Sequence, residues 1–225
     1  MRFMRFDRLA LVAAVAAVTV LCVCWPCQAQ SRWTVDGSYA TRTEGDNYVV
    51  IHDMVLVNDE EGITVTCGLA NYYENERVFE FLSRVRVVQG ETEIQADSGS
   101  FYLSENRGHF VGAVSFVKAA TDDDPNDINL TCEELSLNTE TESFVAKGQP
   151  VLRQIDENGE ETVASADLIE YDGADGFVSL SGNAVMTTAD KGISASSIKF
   201  GLRNDVLELK EFTMNIVLEG QEAQE

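Results

Sequence analysis

Few side chains of this 225-residue chain have the types and the spacing that catalysis requires. The two histidines, His52 and His109, each lie in a run of strand composition, where a surface or core position is the usual explanation. After residue 29 there is no Gly-x-Ser-x-Gly, His-Glu-x-x-His, Gly-x-x-x-x-Gly-Lys-Ser/Thr or Cys-x-x-Cys motif. The many carboxylates fall in turns and at alternate strand positions, where solvated charges belong. We therefore predict no catalytic residue, no cofactor and no enzymatic activity.

One acidic loop has a spacing close to that of a calcium-binding loop. Asp122, Asp124 and Asn126 stand at relative positions 1, 3 and 5, and Glu133 stands at position 12. Position 6, where the calcium loop needs glycine for its sharp turn, is Asp127. The loop therefore predicts a solvated acidic turn, and we expect no metal site.

The chain is strongly acidic, with 38 Asp and Glu residues against 16 Lys and Arg and a formal net charge of −22. Such a charge opposes binding to nucleic acid and provides no long-range attraction to phosphates. Arg84 and Arg86 form the one close basic pair, and strand alternation places them on one face of a strand. They are candidates for a phosphate contact, although exposed strand arginines more often balance surface charge. We predict that nucleic acid is not a partner.

A repeat dominates the chain, and it is clearest between Thr162 and Phe200. Each copy has a small residue, an aromatic or leucine five positions later, a polar turn and a second apolar run. The small residues are Cys67, Ala96, Cys132, Ala166 and Ala195, and the residues five positions later are Tyr72, Phe101, Leu137, Tyr171 and Phe200. A degenerate sixth copy precedes them around Tyr48–Ile51. Five to six copies in one register predict a repeat-built architecture.

Both halves of each repeat have strand composition. They are rich in Val, Ile, Phe, Tyr and Thr with approximate two-residue alternation, and Gly, Asn and Asp bound them. No stretch after residue 30 keeps an apolar face at i, i+3, i+4 and i+7 through three helical turns. We therefore predict an all-β fold with about two strands in each repeat.

The first residues form a targeting segment. Arg2, Arg5 and Arg8 precede an uncharged apolar run over Leu9–Trp25, and Cys27–Ala29 has the small-x-small pattern of a cleavage site. These features predict export of the chain.

The export signal divides the chain into a signal peptide at residues 1–29 and one domain of five to six repeats at residues 30–225. We favour cleavage. The apolar run is only slightly shorter than the ~20 residues of a transmembrane helix, so retention of residues 9–27 as a membrane anchor is the alternative.

Two cysteines, Cys67 and Cys132, remain in the exported part. An even number of cysteines in an oxidising compartment permits one disulfide. If successive repeats stack as neighbouring strands at about 4.8 Å, however, equivalent positions two repeats apart exceed the usual Cα separation of a disulfide. We favour two buried thiols, and a disulfide between Cys67 and Cys132 is the alternative.

The repeat motif itself resembles that of a known family. Ala166-Asp167 with Tyr171, followed by Gly182-Asn183-Ala184-Val185, is similar to the OstA/LptA-like repeat of lipopolysaccharide transport proteins, the LptA/LptC superfamily. Ala96-Asp97 with Phe101 and Gly112 is a second clear copy. The copy at Cys132 has Glu for Asp, and the copy at Ala195 lacks the glycine. The resemblance covers essentially all of the exported chain.

The resemblance implies a β-jelly-roll, an open antiparallel strand stack with an apolar interior. It implies a periplasmic protein of outer-membrane biogenesis that binds lipopolysaccharide acyl chains in a groove and joins a bridge from the inner to the outer membrane. The implied partners are lipopolysaccharide, other jelly-roll transport proteins of the two membrane complexes, and further copies in head-to-tail self-association. The alternative is a structural or adhesive β-solenoid with a closed core that binds protein or cell-wall partners.

If the interior is a lipid groove, apolar residues of the second half of each repeat are the candidates to line it. The candidate lipid-binding residues are Phe79, Phe81, Val85, Phe110, Val114, Phe116, Phe144, Val178, Leu180, Phe212 and Met214. Strand alternation assigns these residues to a face, but it does not distinguish a filled core from a ligand site.

Overall fold

The structure is a computed structural model that describes residues 32–122, 126–156, 158–202 and 206–216. The predicted signal peptide and residues 123–125 of the acidic loop lie outside the described residues. Within the described ranges the chain forms seventeen strands and no helix. No helix of these residues has the length and apolar character to span a membrane.

The strands are β1 (Trp33–Asp36), β2 (Tyr39–Thr41), β3 (Tyr48–Asn58), β4 (Ile63–Tyr73), β5 (Val78–Ser83), β6 (Val85–Gln89), β7 (Thr92–Ala96), β8 (Ser98–Tyr102), β9 (Arg107–Lys118), β10 (Asp127–Asn138), β11 (Ser143–Lys147), β12 (Val151–Ile155), β13 (Glu161–Ser165), β14 (Leu168–Asp172), β15 (Phe177–Thr187), β16 (Lys191–Gly201) and β17 (Leu207–Ile216). Strands β3, β4, β9, β10, β15, β16 and β17 are long, with 10–12 residues each, and the other strands have 3–6 residues.

The strands stack in two layers that share the long strands. The order in layer 1 is β2, β3, β4, β5, β8, β9, β10, β11, β14, β15, β16, β17. The order in layer 2 is β1, β3, β4, β6, β7, β9, β10, β12, β13, β15, β16, β17. Strand β9, for example, pairs through residues 107–111 in layer 1 and through residues 115–118 in layer 2. All pairs are antiparallel, which confirms the predicted all-β strand stack.

The core lies between the two layers. Side chains alternate along each strand, so Phe79 and Phe81 are buried while Glu80 between them faces outward. The buried apolar residues of both layers form one continuous cluster. The stack is therefore one packed unit in which each layer covers the inner face of the other.

Every strand level turns from one layer to the other along one shared edge, which we call the corner row. Its central residues are Asp97, Gly112–Ala113, Glu133, Gly148–Gln149, Asp167 and Gly182–Asn183. Gly112 and Ala113 have φ angles of 81° and 44°, and together they lie opposite the single residue Glu133 of β10. Such a two-against-one β-bulge bends its strand. Several strands also end at this edge. The predicted hairpins are therefore divided into more strands than the two that we expected in each repeat.

An acidic residue packs against each corner glycine. The Asp97 amide donates to the Gly112 carbonyl at 3.0 Å, and a Cβ on Gly112 would lie 2.5 Å from Asp97 Oδ2. The same arrangement recurs, at the same sequence interval, in the pairs Glu133–Gly148 and Asp167–Gly182. The acidic residue and the glycine are the two marked positions of the repeat motif. The motif therefore specifies the turn between layers.

Both cysteines are buried free thiols. Cys67 is on β4 and Cys132 is on β10, and in layer 2 these strands are four strand spacings apart, about 19 Å. We expected two strand spacings between these cysteines. The structure has four because each repeat adds two strands to each layer. Burial raises the pKa of both thiols to about 11. A disulfide between these two residues is excluded by the strand order.

We expect Gly112→Ala to lower the free energy of unfolding by about 1–3 kcal/mol, because alanine at positive φ is strained and its Cβ would collide with the Asp97 carboxylate. The measurement is urea denaturation. Gly192→Ala is the matched control, since a Cβ there meets no atom within 4 Å. Equal stability of the Gly112→Ala variant and the wild type would contradict this role of the corner row.

Candidate functional site

A cavity of about 300 Å³ lies between the two layers, on the side away from the corner row. Its walls are mainly apolar and come from both layers. Layer 1 contributes Phe101, Phe110, Leu137, Phe144, Tyr171 and Val178, and layer 2 contributes Ile63, Val87, Ile94, Phe116, Ile128 and Leu152. Ligand pockets in proteins have volumes of roughly 300–1,000 Å³. The cavity is therefore large enough to hold an apolar group.

Strand register places the lining residues in two facing rows. In layer 2, Val87, Ile94 and Phe116 are partners on three successive strands. In layer 1, the partners are Leu137, Phe144, Tyr171 and Val178 on four successive strands. The ring centroids of Phe116 and Phe144 are 5.8 Å apart across the layers, and those of Phe144 and Tyr171 are 5.4 Å apart. The rows arise because inward positions of neighbouring strands stand side by side in a sheet.

The end of the cavity farthest from the corner row is polar. Gln89, Thr92 and Lys118 are register partners at the strand ends of layer 2, and they line the cavity there. Layer 1 contributes the β10–β11 turn, including Asn138 and Glu142. The cavity thus has the two-part chemistry of an amphiphile site, with apolar walls and a polar mouth. Among the described residues, no group of three His, Cys, Asp or Glu side chains could hold a metal ion.

The predicted groove residues fall into three sets. Phe110, Phe116, Phe144 and Val178 line the cavity. Five others, Phe79, Phe81, Val85, Val114 and Leu180, are buried in the core beside it. Phe212 and Met214 are on the terminal strand β17, where Phe212 is 54% exposed. The ligand role of all eleven residues stays a prediction.

Our sequence-based selection included Phe116 but no other residue of the layer 2 wall of the cavity. It was taken from the second half of each repeat, whereas Val87, Ile94 and Leu152 come from the short strands β6, β7 and β12. The two-residue alternation of these segments is visible in the sequence. The layer to which each short strand belongs is not visible there, because it depends on strand pairing: β5 pairs with β8, whereas β6 pairs with β4 and β7.

The predicted basic pair is not on one strand. Arg84 has a φ angle of 49° and stands between β5 and β6 on the corner row, so it does not share a strand face with Arg86. Arg86 lies on the outer side of layer 2, where its guanidinium donates to both carboxylate oxygens of Glu93 at 2.8 and 2.7 Å. Hydrogen bonds from Arg86 and, to a smaller extent, Gln95 lower the pKa of Glu93 to about 2. Neither arginine lines the cavity.

A family model connects this architecture with known proteins. The model for the LptA/(LptD N-terminal domain) LPS transport protein matches residues 65–206, well over half of the chain. The chain belongs to this family. The two-layered strand stack is thus the OstA-like β-jelly-roll that the repeat motif predicted, and the family is one of transport proteins rather than enzymes.

Comparison with curated proteins gives no match for this member of the LPS transport family. Among solved structures, LptH of Pseudomonas aeruginosa is described as the LptA-homologous periplasmic component of the conserved lipopolysaccharide transport device. It aligns with 86% of this chain and 100% of its own, at 12% identity and a TM-score of 0.31. The family membership rests on the family model alone.

We expect Val87→Phe to weaken binding of a fluorescent apolar probe, N-phenyl-1-naphthylamine, by about tenfold, because the larger ring occupies the cavity. The measurement is a fluorescence titration of the folded protein. Val88→Phe is the control, since Val88 is the adjacent residue on the opposite, outer face and pairs with Thr64 and Glu93. Equal affinities of the two variants would show that the probe binds elsewhere.

Proposed function

We propose that this chain is a periplasmic carrier that holds lipopolysaccharide acyl chains between its two layers and passes them along a bridge from the inner to the outer membrane. The observation that supports this most directly is the apolar cavity between the layers in a member of a lipopolysaccharide transport family. Each CH₂ group moved from water into such a site contributes about 0.8 kcal/mol. A carrier of this kind needs no catalytic residue.

The periplasmic location is supported by the predicted leader, with its basic start and apolar run. Cleavage of the leader gives a soluble carrier, and retention gives a carrier anchored at the inner membrane. N-terminal sequencing of the exported protein distinguishes the two forms.

Acyl-chain binding is tested by photo-crosslinking in living cells. Probes at Phe116, Phe144 and Val178 are expected to crosslink to lipopolysaccharide, because these side chains line the cavity. The matched controls are the adjacent residues Val117, Val145 and Ser179, which point to the outer faces. Crosslinks at the first set and not at the second support the carrier.

Silence at all six positions in a folded, exported protein would contradict acyl-chain binding. That outcome would favour the alternative function, a structural or adhesive β-solenoid whose interior is only a core. Capture of a periplasmic protein by the outer-face probes alone would point the same way.

Bridge formation is supported by the open end of the stack at β17. Strand β17 pairs with β16 on one side, and within the described residues its other edge has no partner. Its inward residues Leu207, Phe212 and Ile216 are 43%, 54% and 55% exposed because no further strand covers them. An unpaired strand edge with an apolar face is a template for a strand of another molecule. At the opposite end of the part of the chain that the structure describes, β1 and β2 each pair with β3.

We expect Phe212→Glu to lower the average mass of the protein in sedimentation equilibrium, because a buried charge at a strand-addition contact is unfavourable. Thr213→Glu is the matched control, since Thr213 pairs with exposed Ser194 on the outer face. A wild-type protein that is monomeric at all concentrations, or equal masses of the two variants, would argue against association through this face.

A further inference from the structure

The polar mouth of the cavity contains one cationic side chain. Lys118 ends β9 and pairs with Thr92 of β7 and Ile128 of β10 in layer 2. Strand alternation puts it on the same inner face as Phe116, two residues earlier, and both side chains line the cavity. Among the described residues that line the cavity, Lys118 is the one cation. This placement is unusual in a chain with a net charge of −22.

We infer that Lys118 binds the anionic group of the amphiphile whose apolar chain occupies the cavity. The inference rests on the proposed function and specifies which chemical group of the ligand lies at the mouth. The ligand class is an acyl or alkyl chain that ends in, or lies next to, a phosphate or carboxylate. An ammonium group has three hydrogen-bond donors and a compact charge, which suits either anion.

The neighbours of Lys118 provide further donors for such an anion. Thr92 is its direct register partner, and Gln89 is the next residue along the same row. From layer 1, Asn138 lines the same cavity. Hydroxyl and amide groups can each donate to phosphate oxygens. The apolar rows lie toward the corner from this end, so the chain points inward and the anion stays at the mouth.

Two other basic side chains of layer 2 do not line the cavity: Arg86 pairs with Glu93 on the outer face, and Arg153 pairs with Glu161 at 2.9 Å. An attraction between an anion and Lys118 is strengthened by the apolar wall beside it, because the local dielectric constant is below that of water. The charge contact therefore acts at short range, although the whole surface is acidic.

Glu142 acts in the opposite direction. It is the other charged residue that lines the cavity, and it belongs to the β10–β11 turn of layer 1. Its carboxylate disfavours an anion at the mouth. Removal of the Lys118 charge should therefore lower the affinity for an anionic amphiphile, and removal of the Glu142 charge should raise it. A neutral amphiphile of equal chain length should bind both variants equally.

The experiment is displacement of N-phenyl-1-naphthylamine from the full exported chain by three twelve-carbon amphiphiles, namely dodecyl phosphate, dodecanoate and dodecyl maltoside. The wild type should bind the anionic amphiphiles about tenfold more tightly than neutral maltoside. Lys118→Gln should remove that preference and leave maltoside affinity unchanged. Glu142→Gln should increase the preference. Lys147→Gln, which removes an exposed outward-facing lysine of β11, should have no effect.

Each result decides a different point. Retained preference in Lys118→Gln, or equal weakening of anionic and neutral binding, would overturn the inference while the carrier function stands. Failure of maltoside to bind the wild type would overturn the proposed function and the inference with it. Preference for dodecyl phosphate alone supports Lys118 as a phosphate contact, and preference for both anions supports it as a general anion contact.

Discussion

The turn that each strand makes between the two layers is the constraint on which the rest of the structure depends. At the corner row a glycine at positive φ allows the bend, and an acidic residue of the neighbouring strand covers it, as Asp167 covers Gly182. A Cβ at the glycine would collide with that carboxylate. Because the same pair recurs three times in register, these strands bend along one line. Without this line there would be one continuous sheet and no space between two layers.

The size of side chains away from the corner row then determines which part of the interior is core and which part is cavity. Next to the corner, layer 2 has small inward residues such as Ala96 and Cys132. In layer 1, the rings of Phe79 and Phe81 fill the space in one part of the stack. Gly108 occupies an inward position in the middle, where the Phe110 ring lies against it. A fully filled interior would pack more densely and hold no ligand.

Strand composition and the repeat register predicted the all-β fold and the family, because both are local properties of the sequence. The corner pairs were visible as a motif, but their mechanical role required three-dimensional proximity. The separation of Cys67 and Cys132, the break at Arg84 and the exposure of Phe212 could not be predicted from local pattern. Each depends on which strands become neighbours. That order is non-sequential here, since β5 pairs with β8 across the intervening β6 and β7.

The distribution of charge is consistent with a carrier that must also release its cargo. Salt does not screen apolar contacts inside the cavity, whereas it screens interactions among exposed charges beyond about 8 Å at physiological ionic strength. An acidic exterior therefore adds little to the affinity of an anionic amphiphile and opposes its retention at the surface. In the proposed carrier, a single cation at the mouth orients the anion without the several fixed ion pairs that would make release slow. In that proposal, affinity comes mainly from the buried chain, and the next apolar interior along the proposed bridge can offer that contribution equally well.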